Sequence, residues 1–174
     1  MSLSIDQAIQ IVAAVGTWLA AIGTVGAVVV ALWLAHRGQK VLLNVRVGLQ
    51  FILGGGVAEE CLTFRVTNLG DRPVTIESIG WRVGAGKTRK DAFQPESTSR
   101  GDRCPKRLEH GEAALFFVDI SEFSTWITDF SERFIADRPL RTLRAQIHTS
   151  VGYTKVVRPE PGLLQRLKEN VTDI

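Results

Sequence analysis

Between Asp6 and Arg37 the chain carries no Asp, Glu, Lys or Arg, and the 25 residues from Ile11 to Ala35 read IVAAVGTWLAAIGTVGAVVVALWLA. As a helix this run measures about 37 Å at ~1.5 Å per residue. A hydrocarbon core is about 30 Å thick, so the run spans it with some tilt. A helix apolar all round needs burial on every side. The sequence therefore predicts a short flank at 1–10, a transmembrane helix at 11–35, and a separate folded domain after a basic linker at 36–40. The flank MSLSIDQ lacks the basic residues of a signal peptide, and the apolar run exceeds an h-region in length.

All 21 Lys and Arg lie at or after position 37, together with every acidic residue except Asp6. Arg37, Lys40 and Arg46 follow the span, beside His36. Basic flanks stay in the cytoplasm, which predicts the N-terminus outside and the domain inside a bacterial inner membrane. Trp18 and Trp33 are the expected interfacial rings, with Arg37 and Lys40 at the headgroups. Gly16, Ala20, Gly23 and Ala27 fall on one stripe at spacings of 4, 3 and 4. Small residues so placed let helices approach closely, so the helix is expected to pack on itself or on another membrane protein.

Beyond the span the charge balance is mildly basic, 21 basic against 17 acidic residues, too weak to predict a nucleic-acid partner. Cys61 and Cys104 show no C-x-x-C spacing, and His36, His110 and His148 are scattered. No metal or other cofactor is expected. In the cytoplasm the two cysteines are expected as free thiols.

From Val41 the period changes to two: Val41, Leu43, Val45, Val47, Leu49 and Phe51 alternate with the residues between them, which predicts a strand with one buried face. Gly54-Gly55-Gly56 breaks it. A second strand is expected over Leu62–Thr67, then a turn over Asn68–Pro73 and a third strand over Val74–Val83. Residues 84–111 read as a long polar loop with a short strand near Ala92-Phe93. Ala114–Ile120 reads as a buried strand. Ser121 is the expected cap of a short inserted helix on which Phe123, Ile127, Phe130 and Phe134 share a face. Leu140–Thr149 and Tyr153–Arg158 read as a hairpin about Ser150-Val151-Gly152. After the domain at 41–160, the segment 161–174 is expected to form a short helix with Leu163, Leu164, Leu167 and Val171 on one side.

Six or seven such strands predict a mainly β fold, a β-sandwich. The run Phe64-Arg65-Val66-Thr67-Asn68-Leu69-Gly70-Asp71-Arg72-Pro73-Val74-Thr75-Ile76 resembles the V-x-N-x-G-x-x-P-V-x-I unit of bacterial immunoglobulin-like domains. That resemblance implies an immunoglobulin-like sandwich and no specific activity.

The sequence is compatible with three functions. The first is a non-enzymatic, membrane-anchored interaction domain with membrane lipid, itself and an unidentified cytoplasmic protein as partners. The second is a membrane effector or sensor that binds an anionic ligand or lipid through the basic stretch: Lys87, Arg89, Lys90, Arg100, Arg103, Lys106 and Arg107. The third and weakest is a nucleotide hydrolase. Gly84-Ala85-Gly86-Lys87-Thr88 looks like the end of a phosphate-binding loop, but Trp81 stands where its first glycine belongs and no helix pattern follows. Ser97, Ser99, His110 and Asp119 have no catalytic motif around them, so no catalytic residue is expected.

Overall fold

The computed structural model describes residues 5–37, 40–54, 57–96, 100–120 and 125–172. The chain divides into two compact units, Met1–Lys40 and Val41–Ile174. The first is a helix, α1 (Ile5–Arg37), within which Ile9–Leu34 is long and apolar enough to cross a membrane, with a mean hydropathy of 2.0. Its two threonines turn their hydroxyls inward: Thr17 donates to Ala13 O and Thr24 to Ala20 O, each at 2.9 Å. In hydrocarbon that satisfies both groups without a partner chain.

The second unit is mainly β. Its strands are β1 (Leu43–Gly54), β2 (Val57–Asn68), β3 (Val74–Val83), β4 (Lys90–Gln94), β5 (Lys106–Leu108), β6 (Ala113–Asp119), β7 (Arg144–Thr149) and β8 (Thr154–Val157). All pairings are antiparallel. One sheet has the order β1-β2-β6. The other has the order β4-β3-β7-β8, with β5 pairing the first half of the same β3 edge that β4 pairs further on. The arrangement is compatible with a β-sandwich.

Alternation explains the core. Val47, Leu62, Phe64, Val66 and Phe116 from the first sheet are buried in one cluster with Ile76, Ile79, Trp81, Ala145 and Ile147 from the second. The spacing is two along each strand except between Ile76 and Ile79, where a bulge between Ile76 and Ser78 adds a residue and restores the facing. Trp81 is the largest of these side chains, and Phe64 meets it edge-on at 5.1 Å between centroids.

The turn between β2 and β3 hangs on one side chain. Asn68 is 1% exposed; its Nδ2 donates to Arg72 O at 2.8 Å and to Leu108 O at 3.2 Å, while its Oδ1 accepts from Gly70 N at 2.9 Å. One amide thus closes the turn and ties β5 to it.

Several expectations change. Among the described residues there are eight strands rather than six or seven, because the long polar loop holds, beside the expected strand about Ala92-Phe93 (β4), a further strand β5 and a 3-10 turn at Gly86–Thr88. Charged residues such as Lys90 and Lys106 are tolerated there because β4 and β5 lie on a sheet edge, where polar side chains reach water. β6 is buried on one face only, with Ala114, Phe116 and Val118 inside and Leu115 exposed. The start of the second hairpin is a 3-10 turn, Leu140–Thr142, and β7 begins at Arg144.

The inserted helix is α2 (Trp126–Asp129), continued by a π segment, Phe130–Ile135. Its expected cap Ser121 and face residue Phe123 lie outside the described residues. The wider i→i+5 bonding puts residues five apart on one face. Phe130 and Ile135 are therefore the buried pair, and Phe134 is only partly buried. After β8 the chain crosses to the first sheet, where Glu160 N donates to Val47 O at 2.8 Å. It then enters α3 (Pro161–Thr172), which seals the core with Leu163 and Leu167.

Candidate functional site

Gly16, Ala20, Gly23 and Ala27 are all exposed on α1, and a Cβ added at Gly16 or Gly23 would meet nothing within 4 Å. The stripe is thus open to a second helix. Trp33 lies one residue from the end of the Ile9–Leu34 span. Trp18 lies nine residues in from its start, about 14 Å along the axis, well inside the apolar stretch rather than at its edge. Arg37 closes α1, and Lys40, just before the β domain, is exposed.

The basic stretch does not form one surface. Lys90 pairs opposite Val83 at one end of β3, and Arg107 opposite Thr75 at the other. Eight residues of strand separate those positions, about 26 Å at ~3.3 Å each. Lys87, Arg89 and Lys90 gather at the first end; Arg103, Lys106 and Arg107 lie in or before β5 at the second.

Most of these cations already meet acids. Asp91 accepts from Arg82 at 2.8 Å and from Arg89 at 2.7 Å. Burial opposes ionisation of Asp91, yet the two guanidinium groups outweigh it and hold its carboxyl below the ordinary range. Lys106 Nζ meets Asp102 at 2.8 Å, and Arg107 meets Glu109 at 2.9 Å. The Lys106 hydrogen bond depresses Asp102, and the same contact raises Lys106. Arg100 pairs with Glu59. Among the described residues, Lys87 and Lys90 close no ion pair. Such exposed pairs contribute little to stability, but they reduce the field open to an anion.

Gly84–Thr88 is a turn between β3 and β4. Gly84 and Gly86 have φ of +83° and +54°, which glycine adopts without strain. Thr88 N and Thr88 Oγ1 both donate to Ala85 O, and Gly84 N donates to Thr142 Oγ1. The segment that follows is strand β4, whereas a phosphate-binding loop opens a helix.

Of the other residues singled out, Ser97 and Ser99 lie outside the described residues. His110 Nδ1 sits 3.1 Å from Gly70 O, beside the Asn68 turn, and Asp119 ends β6. Among the described residues no group of three or more His, Cys, Asp or Glu stands close enough to hold a metal ion. Cys61 and Cys104 are free thiols. Burial pushes both upward, and the Glu96 carboxyl adds to the effect at Cys104.

Two surface features escape a reading by sequence. One is an open depression lined by Asn44, Arg46, Arg65 and Thr67, on the outer face of β1 and β2. Periodicity marks each as outward-facing, but their meeting depends on the register Asn44↔Thr67 and Arg46↔Arg65. The other is the end of the β1–β2 hairpin. It runs past the last β2–β6 pair, Cys61↔Asp119, and exposes Phe51 (65%) and Leu53 (81%). Alternation alone assigned Phe51 to the buried face; the hairpin outruns the core that would cover it. No protein-family model matches the chain, and a search of curated proteins returns no match.

Proposed function

We propose that this chain is a non-enzymatic, membrane-anchored interaction domain of the bacterial inner membrane. Its helix spans with the N-terminus outside, and an immunoglobulin-like β domain at 41–160 works in the cytoplasm. The orientation rests on Arg37, Lys40 and Arg46 following an uncharged span. The immunoglobulin-like reading is supported by strand order. The first, second and sixth strands share one sheet; the third, fourth, fifth, seventh and eighth share the other. Trp81 is buried on the third strand, where such domains carry a core tryptophan.

The observation that carries the interaction role is the protruding hairpin end with Phe51 and Leu53 uncovered. Apolar side chains held out in water on a paired strand mark a contact surface. The proposed partner is a cytoplasmic protein, with the Gly16–Ala27 stripe joining copies of the helix or docking it to another membrane protein.

Two measurements test this reading. A reporter fused after Ile174 is expected to be active on the cytoplasmic side; activity on the other side overturns the orientation. A photo-crosslinker replacing Phe51 is expected to capture a discrete protein in cells, and Leu53→Ser to abolish the capture. Equal labelling from a crosslinker at Glu132, on the π segment, would falsify the hairpin as the contact surface.

A further inference from the structure

We infer that Arg46 and Arg65, with Asn44 and Thr67, form a binding site for a phosphate-class oxyanion on the outer face of the β1–β2 sheet. This goes beyond the interaction reading and uses none of the residues of the β3–β4–β5 basic stretch.

Arg46 stands directly across from Arg65, and Asn44 directly across from Thr67. Like charges facing each other across a strand pair destabilise it. Several other arginines of the domain are neutralised, Arg82 and Arg89 by Asp91, Arg100 by Glu59, Arg107 by Glu109 and Arg133 by Asp129, while Arg144, which the register sets across from Arg82, donates to the Arg141 and Leu143 carbonyls. Arg46 and Arg65 close no ion pair among the described residues. The face offers little acid. Their same-face neighbours along the hairpin are Asn44, Gly48, Thr63 and Thr67, and β6 sets Leu115 opposite Arg65 and Ala113 opposite Thr67. The Glu160 carboxyl does occupy the space that a Cβ on Gly48 would take, two positions along β1. It closes no salt bridge with either arginine.

These four side chains line one open depression. Two guanidinium forks present paired N–H donors in the geometry that phosphate oxygens accept. The Thr67 hydroxyl and the Asn44 amide add neutral donors at the same place. A dianion bridging the two forks removes the repulsion between them. The phosphate could come from an anionic phospholipid headgroup or from a free phosphorylated ligand; the chemistry is shared.

The test uses the full chain in neutral detergent and measures the thermal midpoint in inorganic phosphate against chloride at equal ionic strength. Wild type is expected to gain roughly 3 °C in phosphate through preferential binding to the folded state. Arg46→Gln and Arg65→Gln are each expected to lose that gain while melting no lower than wild type in chloride, because each removes a like-charge contact. Arg133→Gln, on the π segment, is expected to keep the gain. A second arm adds phosphatidylglycerol or phosphatidylcholine to the micelles. A gain with phosphatidylglycerol alone assigns the source to a lipid headgroup; a gain with inorganic phosphate assigns it to a free ligand. If neither arm separates wild type from the two arginine variants, the site is overturned, whatever becomes of the Phe51 contact surface.

Discussion

Trp81 Nε1 donates to Gln94 Oε1 at 3.0 Å, and Trp126 Nε1 donates to the same oxygen at 3.0 Å. One amide thus pins the core ring of β3 to the helix inserted between β6 and β7. Phe130 completes the cluster, stacked on Trp126 at 4.5 Å and edge-on to Trp81 at 5.1 Å. Gln94→Leu keeps the volume but leaves the buried Trp81 N–H without this acceptor. An unmade hydrogen bond of that kind costs about 1–3 kcal/mol. The expected result is a fall of several degrees in the thermal midpoint. Equal midpoints for wild type and Gln94→Leu would remove the bond from the account of stability.

Asn68→Asp gives a sharper test of the β2–β3 turn. The Asn68 Nδ2 group faces two carbonyl oxygens, those of Arg72 and Leu108, and the residue is 1% exposed. A carboxylate there is buried against two acceptors, so the protonated form is favoured and the folded-state pKa of the new group is raised. The variant is therefore expected to lose more stability at pH 7 than at about pH 2.5, below the unfolded value of about 3.9, where the group carries its proton in both states. Denaturant titrations at the two pH values check this; an equal loss at both would show that the side chain does not face those carbonyls.

The two periodicities in the sequence mark much of the fold. The uncharged run gives α1, and the period of two gives β1, β3 and the β7–β8 hairpin close to their observed places. The turn chemistry of Asn68–Pro73 is also legible, since Asn bonds its own backbone. Of the edge strands, β4 is legible only as a short strand about Ala92-Phe93, and β5 is not legible, since its three residues Lys106-Arg107-Leu108 show no apolar alternation. The shift of burial from Phe134 to Ile135 depends on π bonding, which no helical period predicts. The Arg46–Arg65 pair is invisible for a different reason: a sequence shows which face a residue takes, but not what the register sets opposite it.

Acid sensitivity follows from Asp102. Lys106 holds its carboxyl below the ordinary range, helped by the Leu115 backbone N–H at 3.0 Å. A depressed folded-state pKa means stability that is present above the unfolded value, about 3.9, and lost as pH falls through the lower folded value. The pair is open to water, so the contribution is small. Asp102→Asn is expected to melt slightly below wild type at pH 7 and to converge with it below about pH 3. Curves that stay parallel across that window would exclude Asp102 as the titrating group.

The thiols make the opposite prediction at high pH. Cys61 donates to Gln50 O at 3.3 Å, and burial pushes its pKa up; at Cys104 burial and then the Glu96 carboxyl push in the same direction. The thiolate is the nucleophile, so each unit of upward shift cuts its population about tenfold. Iodoacetamide at pH 8 is expected to modify both residues more slowly in the folded chain than in guanidinium, Cys104 the more so. Intact mass after timed quenching gives the two rates. A raised folded-state pKa is also stability that is whole below the unfolded thiol value, about 8.5, and lost as pH rises past it. Cys104→Ser should flatten that alkaline loss, whereas Cys61→Ser, at the less shifted site, should flatten it less. Rapid native modification at Cys104 would show instead that water reaches the thiol and that the burial argument fails there.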